Sequence, residues 1–257
     1  MMQLPAPRWK SSWPDWGALS VWRLRLSAFA DPDAVLRPLT VPAERKRAGR
    51  YEFEADRHRH LAGRALTRLV FARRLDREPQ ALTFDEGPHG KPHLERQPDD
   101  GPSLHHNVAH TGDVVLVAVS QSVPVGIDVE SRARELDAAA LTERVCTEAE
   151  RAWWRRRPES HRHDAFLHLW TCKEAFLKAT GEGLQRAPDT IECSFEGSTV
   201  TALDDATHSQ SSPASDWTVR PFSAADGVVG AIVHPQGPAP SVSWVDATEM
   251  VRRRPTA

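Results

Sequence analysis

Two short stretches of this chain carry acids at spacings that could hold a metal ion against a phosphate. Gly126-Ile-Asp128-Val-Glu130 sets two carboxylates two residues apart, and Trp170-Thr-Cys-Lys173-Glu174-Ala-Phe-Leu-Lys178 sets an acid and a lysine four apart. Alternation of Val125, Ile127 and Val129 predicts a strand, with Asp128 and Glu130 together on its other face. Strong helix formers running into Gly181 and Gly183 predict a helix, on which Trp170, Glu174 and Lys178 form one stripe. Packing that helix on that strand would bring three carboxylates and a lysine together. Such oxygen donors suit a hard divalent cation, and cation plus lysine suit group transfer at phosphorus. Blander readings fit the same residues. Asp128 and Glu130 could face solvent at a strand end, and Glu174 with Lys178 could be a surface i,i+4 pair that steadies one helix.

The elements that must position these side chains start one plan twice. Ala18 to Leu26 reads as a strand, and Ala55 to Leu75 as an amphipathic helix with Leu61, Ala65, Leu69 and Ala72 inward. Gly87, Pro88 and Gly90 mark a turn, and Asn107 to His110 with Val114 to Val119 read as a hairpin about Thr111-Gly112-Asp113. The order restarts with a strand from Val125 to Glu130. Helical segments follow between Ala138 and Arg157, then a longer helix from about Asp164 to Thr180. Short strands are expected near Ile191 to Phe195, Trp217 to Phe222, Val228 to Val233 and Val242 to Val245, with a surface loop from Asp204 to Asp216. The expected fold is α+β, a pseudo-dimer of two similar lobes over residues 1–121 and 122–257. Each lobe would pack a small antiparallel sheet on a long helix, with the active site in the cleft between them.

Composition narrows the class. A chain of 257 residues with 40% hydrophobic content can bury a sizeable core. A formal net charge of -2 argues against a general nucleic-acid binder, although basic residues crowd between Arg45 and Arg77 and could serve a small polyanion. Apolar runs such as Val114 to Val119 are too short to span a bilayer. The start of the chain, with Trp9, Trp13 and Trp16 around Pro14, lacks the apolar core of a signal peptide, so a cytoplasmic location is expected. Cys146, Cys172 and Cys193 form no metal or disulfide pattern, and the pairs and triplets of histidine match no zinc ligand set.

The paired stretches resemble the signature of the 4'-phosphopantetheinyl transferases, and their spacing is similar to that of the large, pseudo-dimeric Sfp-type members. Gly90-Lys91-Pro92-His93-Leu94 resembles the family's Gly-Lys-Pro segment. His106-Asn107-Val-Ala109-His110-Thr111-Gly112 resembles its Asn-x-Ser-His-Ser segment, with Ala109 and Thr111 in place of the two serines. The basic run from Arg47 through Arg50-Tyr51 to Asp56-Arg-His-Arg59 also agrees, while Glu44 stands near where some relatives carry lysine.

The resemblance implies transfer of the 4'-phosphopantetheine arm of coenzyme A to a serine hydroxyl of an apo acyl or peptidyl carrier protein, releasing 3',5'-adenosine bisphosphate. It implies that Asp128, Glu130 and Glu174 ligate magnesium, with manganese as an alternative, and that Glu174 accepts the serine proton, directly or through a metal-bound water. Lys178, helped by Lys173, would stabilise the leaving bisphosphate. Arg47, Arg59 and His110 would surround the 3'-phosphate, Thr111 would also contact coenzyme A, and Lys91-Pro92 would line the adenine. A monomer without membrane or nucleic-acid partner is the expectation. Two other classes remain open on the residues alone: a magnesium-dependent hydrolase of a nucleotide diphosphate, and a non-catalytic binder of coenzyme A.

Overall fold

The computed structural model describes residues 4–12, 19–86, 92–95, 104–121, 123–194, 198–203, 217–237 and 241–253. The described residues fall into two compact units, one drawn from the span Arg8–Ser122 with Pro240–Ala257, the other from Val123–Ala239 with Met1–Pro7. The expected partition at 121/122 is therefore corrected at both termini.

In the first unit, β1 (Leu19–Arg25) leads through α1 (Pro32–Leu36) and α2 (Pro42–Ala48) to the 22-residue α3 (Glu54–Leu75). A short pair, β2 (Phe84–Glu86) and β3 (Pro92–Leu94), precedes the hairpin β4 (His105–Thr111) and β5 (Val114–Ser120). β5 lies antiparallel to β1. α3 buries Leu61, Ala65, Leu69 and Ala72, the face that its apolar spacing marks, together with Leu66, Val70 and Phe71. These side chains pack with Trp22, Leu24, Val115 and Val117 of the sheet.

The second unit begins with β6 (Gly126–Ser131), followed by α4 (Ala138–Val145), α5 (Glu148–Arg155) and a second 22-residue helix, α6 (Glu159–Thr180). Then come β7 (Ile191–Ser194), β8 (Thr199–Ala202), β9 (Trp217–Ala225) and β10 (Val228–Pro235). The five strands form a wholly antiparallel sheet in the order β6-β10-β9-β8-β7. α6 begins five residues before the expected start, because the polar first turns after Pro158 carry no apolar period. It ends at Gly181, whose φ of 79° closes the helix in the left-handed region that a side chain would disfavour.

Connectivity repeats between the units: strand, 22-residue helix, then a hairpin whose second strand pairs antiparallel with the first strand, as in β1–α3–β4–β5 and β6–α6–β9–β10. One strand departs from expectation. β11 (Val242–Asp246), read as part of the C-terminal lobe, runs parallel to β1 in the first unit, which gives that sheet the order β11-β1-β5-β4 and a mixed character. Its attachment has clear causes. Val245 and Ala247 are fully buried in the first core, Asp246 pairs with Arg23 at 2.5 Å, and α7 (Thr248–Arg252) adds Val251 to the same core. No helix among the described residues is long and apolar enough to cross a membrane. Expectations placed on Ala18, Phe195 and the loop at 204–216 lie outside the described residues.

Candidate active site

The acidic stretch and the helix stripe meet within the second unit. Gly126 is the contact that lets them. A Cβ there would stand 1.8 Å from the Ala175 carbonyl oxygen and 2.6 Å from the Ala179 nitrogen, so only glycine lets β6 approach the α6 backbone this closely. The same strand face then carries Asp128 beside Lys178 and Glu130 beside Trp170. β6 thus runs against α6 in the opposite sense. Two residues of strand advance about 6.6 Å and the helix from Lys178 to Trp170 about 12 Å, so the two acids fall within the length of the stripe, with Glu174 between its ends.

Lys178 Nζ donates to Asp128 Oδ1 at 2.7 Å, while Oδ2 of the same carboxylate is buried without a hydrogen-bond partner. Trp170 lies beside Glu130, and Arg134 from the turn beyond β6 pairs with Glu130 as well. All three acids hold their protons more tightly than usual. Burial raises Asp128 most, against the pull of Lys178. Burial and then the charge of Asp128 raise Glu130, and the same two causes in the same order raise Glu174. Three carboxylates therefore share one poorly hydrated place with too little positive charge to balance them.

Donor type, surplus negative charge and the orphaned Asp128 oxygen all fit a hard divalent cation. The fit is one of composition. Among the described residues no trio of His, Cys, Asp and Glu stands in ready-made coordinating geometry. Lys178 and Arg134 instead hold oxygens of Asp128 and Glu130.

Lys173, expected beside the leaving group, is elsewhere, and that expectation is corrected. Its ammonium is fully buried, 2.7 Å from Glu150 on α5, and donates to the carbonyls of Pro188, at 2.9 Å, and Ile191. One helix position turns about 100° from Glu174, so Lys173 points away from the acidic face and toward α5. Glu150 is itself fully engaged, capping α5 through Thr147 N–H and accepting from Cys193 N–H. The Thr147-x-x-Glu150 capping box was the readable signal for this anchor.

Most of the other predicted binding residues lie in the first unit, around a residue that sequence reasoning missed. His60 on α3 is disfavoured as a cation by burial first, then by Arg47, Arg64 and more weakly His110. Those four basic groups therefore share a neighbourhood. The Tyr51 ring lies on His60 with centroids 5.2 Å apart. Arg59 donates to Asp56 at 2.5 Å and to the Gly112 carbonyl at 3.2 Å, which ties α3 to the β4–β5 turn next to the half-buried Thr111. His110 is exposed on β4, and Pro92 is half-buried in β3 opposite Glu86. Lys91 lies outside the described residues.

Glu44 does not leave a raw negative charge in this neighbourhood. It caps α2 and is clamped by Arg64 at 2.6 Å and Arg68 at 2.8 Å. Burial raises its pKa, but the Arg68 hydrogen bond and the two arginine charges carry it below the ordinary value. Arg45 spends its guanidinium on the Thr40 and Arg37 carbonyls.

Comparison with known proteins finds one family across both units. A family model described as the 4'-phosphopantetheinyl transferase superfamily matches residues 124–232. Another, described as 4'-phosphopantetheinyl transferase, N-terminal, matches residues 33–122. The 4'-phosphopantetheinyl transferase HetI of Nostoc sp. (strain PCC 7120 / SAG 25.82 / UTEX 2576) is 31% identical over 216 residues, which covers 82% of this chain and 85% of that protein. A phosphopantetheinyl transferase of Thraustochytrium sp. (strain ATCC 26185 / S-3) is 33% identical over 208 residues, covering 73% of this chain and 69% of its own. The 4'-phosphopantetheinyl transferase Sfp of Bacillus subtilis (strain 168) is 31% identical over 150 residues, covering 58% of this chain and 64% of its own.

Proposed function

The chain belongs to the 4'-phosphopantetheinyl transferase superfamily, among its Sfp-type members, and from that premise we propose that it transfers the 4'-phosphopantetheine arm of coenzyme A to a serine hydroxyl of an apo acyl or peptidyl carrier protein. The other product is 3',5'-adenosine bisphosphate. The observation that carries this reading is the meeting of Asp128, Glu130, Glu174 and Lys178 on one β6–α6 face, with an Asp128 oxygen left unsatisfied.

Asp128, Glu130 and Glu174 are the residues that would hold magnesium, or manganese in its place, which when bound neutralises charge on the diphosphate. Glu174 takes the proton from the serine Oγ as that oxygen bonds to the phosphorus bearing the pantetheine arm. Its proton affinity, increased by burial and by Asp128, favours that role. The bond from the same phosphorus to the bridging oxygen breaks, and Lys178, one helical turn beyond Glu174, donates to the departing bisphosphate.

Arg47, Arg59 and His110 bind the 3'-phosphate, with His60 and Arg64 adding to the same basic neighbourhood, and Thr111 also contacts coenzyme A. Guanidinium forks suit a phosphate geometrically. Lys91 and Pro92 line the adenine. The repeated strand–helix–hairpin plan supports reading the two units as a pseudo-dimer, and one chain carries both groups of residues, so we take a cytoplasmic monomer as the working form.

Intact-mass spectrometry of a panel of apo carrier proteins, incubated with the protein, coenzyme A and magnesium, tests the reading. A gain of one phosphopantetheine is expected, lost with chelator or when the carrier serine is alanine. Hydrolysis of coenzyme A with no carrier modified would instead identify a diphosphate hydrolase. Stoichiometric binding of intact coenzyme A would identify a binding protein.

A further inference from the structure

Glu130 has a counter-ion that the transfer reaction leaves unused. After β6 the chain turns at once: Arg134 N–H donates to the Ser131 carbonyl at 3.0 Å, Ala133 N–H to the Ser131 hydroxyl at 3.2 Å, and Arg132 N–H to the Gly227 carbonyl at 2.8 Å. That turn aims the Arg134 guanidinium back along the strand onto Glu130 Oε1. The two ends of the pair differ in hydration: the Glu130 side chain is 13% exposed and the Arg134 side chain 49%. On the helix side Lys178 holds Asp128 in a similar way.

We propose that Arg134 is an exchangeable counter-ion of the carboxylate site: it competes with a divalent cation for Glu130 and gives that oxygen up when the cation binds. The inference rests on the metal reading above. An exposed guanidinium returns to water at little cost, because pairs of this kind are weak. A cation shared by three carboxylates gains far more from Glu130 than one arginine does. The same competition explains why the acids do not already stand in coordinating geometry, since one of them is turned onto Arg134.

The test is direct titration of the full chain with manganese(II), without coenzyme A, following free manganese by electron paramagnetic resonance. Arg134→Gln should bind manganese roughly three- to five-fold more tightly than wild type, the scale of an exposed ion pair. Arg134→Lys, which keeps the charge, should stay close to wild type. Arg144→Gln makes the same charge change at an exposed position on α4 and should leave affinity unchanged. Unchanged or weaker binding by Arg134→Gln overturns the proposal alone, as does equal tightening in Arg144→Gln, which would reduce the effect to net charge. Absence of manganese binding in wild type overturns it together with the metal reading.

Discussion

Lys178 Nζ stands 2.7 Å from Asp128 Oδ1, and the other Asp128 oxygen is buried with nothing to accept from. The pair joins the end of the helix stripe to the middle of β6, and it leaves the aspartate half satisfied. A buried carboxylate in that state is costly unless another cation serves it. Asp128→Asn should therefore cost transfer activity roughly 100-fold or more, the scale of removing one preorganised electrostatic partner. Glu174→Gln should do likewise. Thermal unfolding of both variants should stay near wild type, because neither substitution removes volume from the core. Wild-type transfer rates in either purified variant would remove these residues from the site.

Gly126 sets the distance over which that pair can form. With a methyl group, the strand and helix backbones would have to separate by more than an ångström to clear the Ala175 carbonyl. Gly126→Ala should destabilise the second unit by about 1–3 kcal/mol or more, the usual scale of overpacking. Transfer should fall with it, since Asp128 and Lys178 would be drawn apart. Urea unfolding alongside the carrier assay separates the two losses, and an alanine variant of native stability would contradict the close approach.

What the sequence made legible follows from periodicity and its limits. The strand and helix bearing Asp128 and Glu174 were readable because apolar alternation and i,i+4 spacing each pick out one face. The same logic failed for Lys173. Its neighbour faces the sheet while Lys173 is buried against Glu150, and α6 is buried on so much of its circumference that no polar face distinguishes ligand contact from internal anchor. β11 was misplaced for a different reason. Its residues read as a strand, but pairing with β1, more than 200 residues away in sequence, is a tertiary choice that local pattern does not encode. His60 escaped notice because its role arises from Arg47, Arg64 and His110, which converge only once α2, α3 and β4 are packed.

Lys173 is thus expected to act on stability rather than on substrate. Lys173→Met leaves Glu150 charged and buried, and breaking one side of such a pair costs about 3–5 kcal/mol. Changing both residues, Lys173→Met with Glu150→Gln, should recover part of that loss by removing the uncompensated charge. Chemical denaturation of the single and double variants measures this coupling. The double variant should keep the wild-type KM for coenzyme A; a KM raised many-fold in a well-folded double variant would return Lys173 to the ligand.

The basic neighbourhood of the first unit predicts a proton signature of binding. Burial, then Arg47 and Arg64, keep the folded His60 pKa below its unfolded value. The unfolded state therefore binds this proton more readily, and the contribution of His60 to stability rises with pH through the region below the ordinary histidine value. A phosphate dianion among the same groups would offset the arginine charges and push the His60 pKa back up. Coenzyme A binding near pH 6 should thus be accompanied by proton uptake, seen as a dependence of calorimetric enthalpy on the ionisation enthalpy of the buffer. Dephospho-coenzyme A, which lacks the 3'-phosphate, should show little uptake, and His60→Gln should abolish the difference between the two ligands. Arg59→Ala should weaken coenzyme A more than dephospho-coenzyme A, through lost charge and through loosening of the turn that its bond to the Gly112 carbonyl holds. Equal uptake and equal losses for both ligands would place the 3'-phosphate away from α3.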